Sequence, residues 1–261
     1  MRSGGRLPAR RFGARWEVYA VVERRRRRSE RESVPARSAG FAGEILVTMA
    51  VILGLYLAYT LWWTNVEAAH ATKSTAQAIR SEWTKSGSEK MPDAGTSVPG
   101  VGFLHVPTLG DAGEIPIVPG TDPERLNEGV AGYYTKPFKA AMPWEKEGNF
   151  SLAAHRDGHG AKFHNLDRVR AGDAIIVETK DAWYVYTVFS TLPKTADTNV
   201  GVIMPVPEGS GRHTRGRYIT LTTCTPVLTS DYRLIVWGEL TRVEPMDAQR
   251  KRPPELERTS T

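Results

Sequence analysis

Residues 217–240 of this 261-residue chain read RYITLTTCTPVLTSDYRLIVWGEL. Two β-type runs, 217–223 and 233–240, flank a short polar stretch that contains Pro226. Branched and aromatic residues favour the pleated surface of a strand, and a proline ends it. The segment Thr220-Leu221-Thr222-Thr223-Cys224 therefore carries a thiol to a strand end, beside a loop. A tight connection would bring Arg233, which opens the second run, back towards that thiol. Sheets fix the direction of side chains at strand ends, which suits reactive groups.

Working outward, further β-type runs occupy 102–107, 114–118, 150–154, 173–178, 183–190 and 200–205, separated by Gly, Pro and Asp turns. Short helices are expected at 123–130 and 161–169. The number of strands predicts a closed or nearly closed barrel, or a sandwich, over residues 98–243. No internal repeat, Gly-rich phosphate loop or CxxC pair occurs.

The flanks differ in character. Residues 1–40 hold 12 Arg, no Lys and four Glu, while the whole chain carries a net charge of only +6. The basicity thus belongs to an arm, expected to be disordered and cytoplasmic, and a basic nucleic-acid-binding face is not indicated. Residues 45–63, ILVTMAVILGLYLAYTLWW, form a 19-residue run without a charge. A helix of about 20 apolar residues spans a bilayer. Tyr59, Trp62 and Trp63 suit the far interface, and the arginines at 24–28 keep the near side cytoplasmic. We expect a single-pass signal anchor over 41–63, with the lipid membrane contacted through 45–63. A cleavable signal peptide fits less well, because the apolar run exceeds the usual signal core. Residues 64–97 are polar and read as an extracellular stalk, partly helical over 67–85. Residues 244–261 read as a disordered tail.

Cys224 is the only cysteine, so no internal disulfide can form. A lone cysteine is by default a buried apolar residue, but three of the four residues before this one are threonines, not core formers. A thiol reacts as thiolate and needs a proton partner. Among six histidines, His105 alternates with apolar neighbours as a structural residue would, His70 lies in the stalk, and His213 in a Gly/Arg-rich loop. His155 follows the apolar run Phe150-Ser151-Leu152-Ala153-Ala154, another strand-end position. His155 and His159 are four apart, but Gly158 and Gly160 argue against the helix that a zinc pair at this spacing needs. His159 and His164 read as loop residues. Arg233 offers a permanently charged fork of donors for a carbonyl or an oxyanion, or a surface ion pair with Asp231.

The stretches AAHRDGHGAKFHNLDRVRAGDAIIV (153–177), TLTTC (220–224) and RLIVWG (233–238) together resemble the sortase family. The TLxTC motif is matched fully, and the order His, Cys, Arg is that of the family. The resemblance is greatest to class E, the housekeeping type of high-GC Gram-positive bacteria. One departure is Ala154 where many class E members have Gly. The resemblance implies an eight-stranded sortase-type β-barrel with short helices, preceded by one transmembrane helix. It implies Cys224 as nucleophile, His155 as general acid/base, and Arg233 positioning substrate and oxyanion. Thr223 and Tyr134, the latter in Gly132-Tyr133-Tyr134, are implied as substrate contacts. The implied partners are secreted proteins with a C-terminal LPxTG- or LAxTG-like sorting signal and a cell-wall precursor or other amine acceptor. No metal and no organic cofactor is implied; some family members hold calcium, but no acidic cluster here argues for it. Two rival readings stand beside this one. Another secreted thiol hydrolase or transpeptidase of the cell wall is possible in composition, but papain-like and L,D-transpeptidase sites place His and Cys differently. A non-enzymatic membrane-tethered β-domain gives no reason for Thr220–Cys224, His155 and Arg233 to occur together.

Overall fold

A computed structural model describes residues 40–85, 100–110 and 114–257. The expected basic arm lies outside them but for Gly40, as do residues 86–97 of the expected stalk and 258–261 of the expected tail.

Two compact units appear, divided between Ala58 and Tyr59. The first is helix α1, Gly40–Ala58, 19 residues with a mean hydropathy of 2.0. At a rise of about 1.5 Å per residue it is about 28 Å long, close to a hydrocarbon core. Its large side chains, Leu46, Ile52, Leu55 and Tyr56 among them, are exposed. This composition makes α1 a candidate membrane anchor.

The second unit begins with a π-helical turn, Tyr59–Trp63, and helix α2, Thr64–Lys85. Eight strands follow: β1 Gly102–His105, β2 Ile115–Pro119, β3 Ala131–Tyr133, β4 Gly148–Ala153, β5 Ala174–Glu178, β6 Ala182–Ala196, β7 Arg217–Thr225 and β8 Tyr232–Pro245. They close into a barrel in the order β1-β2-β3-β4-β7-β8-β6-β5. The open choice between barrel and sandwich thus resolves to a closed barrel. Inward residues of the strands, including Leu104, Ile117, Phe150, Leu152, Val177, Ile219, Leu221 and Val236, are fully buried in one cluster. Alternation along each strand sends one side-chain set inward, and closure leaves no unpaired edge.

Two expectations change. Residues 200–205, read as a strand, instead begin with the 3-10 turn Val200–Ile203. Val202 and Ile203 pack on Ile235 and Trp237, and the Trp237 indole donates to the Val202 carbonyl at 3.0 Å. The apolar run caps the sheet without joining its ladder. Conversely, the three-residue β3 was not anticipated as a strand; it pairs parallel to β2 and antiparallel to β4. The expected helices shorten to α3, Pro123–Leu126, and a 3-10 turn, Leu166–Arg168.

Neither described flank is loose. Ala68 and Ile79 of α2 are buried against the barrel unit, unlike residues of a stalk. Beyond β8, Met246 and Leu256 pack against Trp183 and Val185, and helix α4 spans Pro254–Glu257. An ionic cluster ties both flanks to the barrel. The buried Glu178 carboxylate meets His105 Nε2 at 3.1 Å, Arg80 Nη1 at 3.1 Å and Arg250 Nη2 at 2.7 Å. These partners overcome its desolvation and hold its pKa at about 2.

Candidate active site

Strand pairing explains how residues far apart in sequence meet. β4 and β7 run parallel, with Leu152 beside Leu221 and Ala153 beside Thr222. Parallel strands end at the same rim, so His155, two residues beyond Ala153, and Cys224, two beyond Thr222, share one end of the barrel. β7 and β8 run antiparallel, with Cys224 directly opposite Arg233. Residues opposite one another on antiparallel strands project to the same face, their Cβ atoms about 5 Å apart.

The threonines of residues 220–223 act as fasteners. Thr220 Oγ1 donates to Asn149 Oδ1 at 2.8 Å, Thr222 Oγ1 to the Leu152 carbonyl at 3.1 Å, and Thr223 Oγ1 to the Ala154 carbonyl at 2.8 Å. Each clips β7 to β4 or to the residue just before His155, at a net gain of about 1 kcal/mol apiece. Thr223 was implied as a substrate contact. Its side chain is instead buried and its proton committed to Ala154, so it sets the spacing between the Cys strand and the His strand.

An open groove of about 570 Å³ runs along this rim, lined by His155, Asp157, Cys224, Leu228 and Asp231. Cys224 is partly exposed. The His155 imidazole bonds Asn127 through Nε2···Oδ1 at 2.8 Å. A carboxamide oxygen only accepts, so Nε2 carries the hydrogen and Nδ1 is left for proton exchange. The His159 ring lies beside it, centroids 5.4 Å apart. Burial pushes the His155 pKa down and the neighbouring His159 adds to the effect, which favours the neutral ring. Tyr134, the other implied substrate contact, shares a 2.9 Å hydrogen bond between its hydroxyl and Thr222 Oγ1. Burial raises its pKa; the Thr222 bond and the Arg233 charge pull it down, while Cys224 pushes it up. The phenol thus lies within electrostatic reach of both site residues.

Arg233 Nη1 donates to the carbonyls of Ser230 at 2.8 Å and Tyr232 at 3.1 Å, so the guanidinium folds over the β7–β8 loop. Two more residues hold this loop, and neither was singled out in the sequence for that role. Arg156 is buried, donates to Thr225 Oγ1 at 2.9 Å and pairs with Asp167 at 3.2 Å. Asp157 Oδ2 accepts from the Leu228 N–H at 2.6 Å. The His-bearing turn and the Cys-bearing turn are thereby linked side to side. Asn127 was also missed: it sits just past the end of α3, and only the folded arrangement pairs it with a residue 28 positions away. Chemically, a thiol and an imidazole line one groove, with Arg233 in register beside the thiol on the next strand, residue types suited to acyl transfer through a covalent intermediate.

The barrel and its flanks are similar to known proteins. The family model described as Sortase domain matches residues 104–241. Sortase SrtE2 of Streptomyces coelicolor is 49% identical over 238 residues, covering 89% of this chain and 93% of the relative. Among solved structures, sortase E1 from Streptomyces coelicolor with a tripeptide in the active site matches with a TM-score of 0.57 at 45% identity, over 60% of this chain and 96% of that one. Sortase E from Streptomyces avermitilis matches with a TM-score of 0.53 at 34% identity, over 60% and 96% of the two chains.

Proposed function

The chain belongs to the sortase family of cysteine transpeptidases, most like class E, and we propose that it cleaves an LPxTG- or LAxTG-like sorting signal and transfers the protein to a cell-wall amine. The observation that carries this reading is the register Cys224 opposite Arg233, on the rim where His155 emerges beside the parallel partner of the Cys strand.

In this reading the Cys224 thiol passes its proton to His155 Nδ1 as its sulfur bonds the carbonyl carbon of the signal's Thr. Arg233 steadies the oxyanion that forms, and as the C–N bond to Gly breaks, His155 gives its proton to the departing amine. The product is a thioester. An acceptor amine then attacks the same carbon, its proton passes to His155, and the thiolate leaves as the C–S bond breaks. Splitting one amide exchange into two acyl transfers lowers each barrier. The depressed pKa of His155 suits the second half, where a neutral ring must accept a proton. Asn127 supports this by keeping the ring in one tautomer. The tripeptide held by sortase E1 of Streptomyces coelicolor supports a peptide-binding groove at this rim.

The domain reading follows. Residues 41–63 form the anchor, with α1 and the aromatic turn at its end; the N-terminal arm is cytoplasmic and the barrel extracellular, where exported substrates emerge. The arginines at 24–28 support that orientation.

The test uses the full chain in detergent micelles, a quenched peptide carrying LAxTG or LPxTG, and triglycine as acceptor. We expect cleavage between Thr and Gly and a triglycine-ligated product by mass spectrometry, both abolished in Cys224→Ala. Ligation that survives Cys224→Ala would overturn the assignment.

A further inference from the structure

Helix α2 was expected to be a stalk, yet one of its faces is built into the catalytic rim. Its less exposed positions include Asn65, Ala68, Thr72, Ile79 and Trp83, at helical spacing. Two turns of the barrel unit meet the first three of these. One is the turn after α3. There Thr72 Oγ1 lies 3.0 Å from the Glu128 carbonyl and 2.9 Å from the Gly129 carbonyl, besides 2.7 Å from its own helix at Ala68. Asn127, which holds the His155 ring, is the residue immediately before Glu128. The other is the turn after His155, where Asn65 Oδ1 accepts from the Gly160 N–H at 2.8 Å.

The second turn is strained. Gly158, His159, Gly160 and Ala161 have φ of 61°, 46°, 79° and 40°, four consecutive residues in the left-handed region. For His159 and Ala161 this costs about 1–3 kcal/mol each and persists only where surroundings over-determine it. α2 is such a surrounding. The buried Ala68 nests between the two turns: a Cβ added at Gly160 would sit 3.6 Å from the Ala68 methyl, and one at Gly129 would sit 3.3 Å from it. A Cβ at Gly129 would also come to 2.6 Å from Thr72 Oγ1, so the approach leaves no slack.

We infer that α2 is part of the catalytic apparatus, with Asn65 and Thr72 as positioning residues that fix the two turns holding the His155 imidazole. The inference rests on His155 being the acid–base residue. Since α2 follows the apolar helix after a five-residue turn, the same segment that leads from the anchor also sets the histidine. No α2 residue is among those that line the groove; the helix acts through Asn127 on one side of the ring and through the His159 turn on the other.

The test compares Thr72→Val, which keeps shape and removes the donor, with Thr72→Ser, which keeps the donor. Both are made in the full chain in micelles. Two readouts are taken: kcat and KM for the peptide-plus-triglycine reaction, and the ¹⁵N signals of His155 across pH, assigned with His155→Gln. Thr72→Val should lower kcat about ten- to a hundredfold, as small misplacements of catalytic groups do. KM should stay nearly constant, and the His155 tautomer signals and titration midpoint should move. Thr72→Ser should restore both. If Thr72→Val leaves the His155 signals in place, whether or not activity falls, the inference is overturned. Should Thr72→Val fail to fold, Asn65→Ala carries the same two readouts at the other turn and decides in the same way. If the wild type turns over no peptide but the His155 signals respond to Thr72→Val, α2 positions the histidine as inferred and the proposed reaction is what fails.

Discussion

His105 and His155 make an instructive pair, since each stands at or just beyond a strand end. His105 is buried and its Nε2 meets the Glu178 carboxylate, itself shared with Arg80 and Arg250. His155 lines an open groove, and its Nε2 meets the neutral carboxamide of Asn127. Glu178 joins His105 to two guanidiniums in one cluster, whereas the Asn127 carboxamide orients the His155 ring without bringing a charge of its own. One histidine is tied into a buried ionic cluster, the other into an open groove.

The contrast is tested hardest by removing the catalytic side. His155→Ala is expected to lower kcat/KM by about 10²- to 10⁴-fold, the usual worth of acid–base catalysis, with no loss of Tm. Arg233→Ala should cost about 10²- to 10³-fold, typical of a lost oxyanion donor. Steady-state kinetics with the peptide and triglycine, paired with thermal melts, check both. A fall in Tm matching the loss of rate would place these residues with the structural cluster.

Much of this contrast was legible in the sequence. His105 reads as structural because it alternates with apolar residues, and His155 and Cys224 stand out because apolar or threonine-rich runs stop at them. The strand runs at 102–107, 150–154, 173–178, 217–223 and 233–240 overlap β1, β4, β5, β7 and β8. What could not be read depends on contacts rather than on pattern. β3 has three residues and exists through its neighbours. The run at 200–205 is apolar because it covers Trp237, not because it joins a ladder. The buried face of α2 is made largely of Asn, Ala and Thr, so no hydrophobic stripe announces it. Small residues permit close approach and polar ones reach backbone groups, and neither leaves a periodic apolar signal.

The Glu178 cluster should answer in stability instead of rate. Glu178→Gln removes the buried negative charge shared by Arg80, Arg250 and His105 and should cost about 1–3 kcal/mol, because charge-assisted hydrogen bonds are lost while both guanidiniums stay partly hydrated. The pH dependence has a definite sign. The folded-state pKa of about 2 lies below the ordinary 4.5, so this carboxylate contributes stability above pH 4.5 that is lost as pH falls towards 2. Denaturant unfolding of the wild type should therefore weaken across that window, and the variant should show a flatter profile there. An unchanged slope would mean that other carboxylates dominate acid unfolding.

The smallest effect comes from making one histidine's surroundings resemble the other's. Asn127→Asp places a carboxylate against His155 Nε2, as Glu178 stands against His105. Burial and His159 now hold the His155 pKa below its usual value. A negative charge at 2.8 Å favours the protonated ring and must move that pKa upward. The acid limb of kcat/KM follows the lower of the two site titrations, so it should shift to higher pH, in step with the ¹⁵N titration of His155. If the thiolate–imidazolium pair is the reacting form, the rate at the optimum rises as well, because a larger share of the enzyme then holds the proton on nitrogen. If the neutral pair reacts, the limb moves but the plateau does not rise. A limb that stays in place while the ¹⁵N midpoint moves would show that His155 does not govern the acid side of the reaction, and the contrast between the two histidines would have to be drawn at another residue.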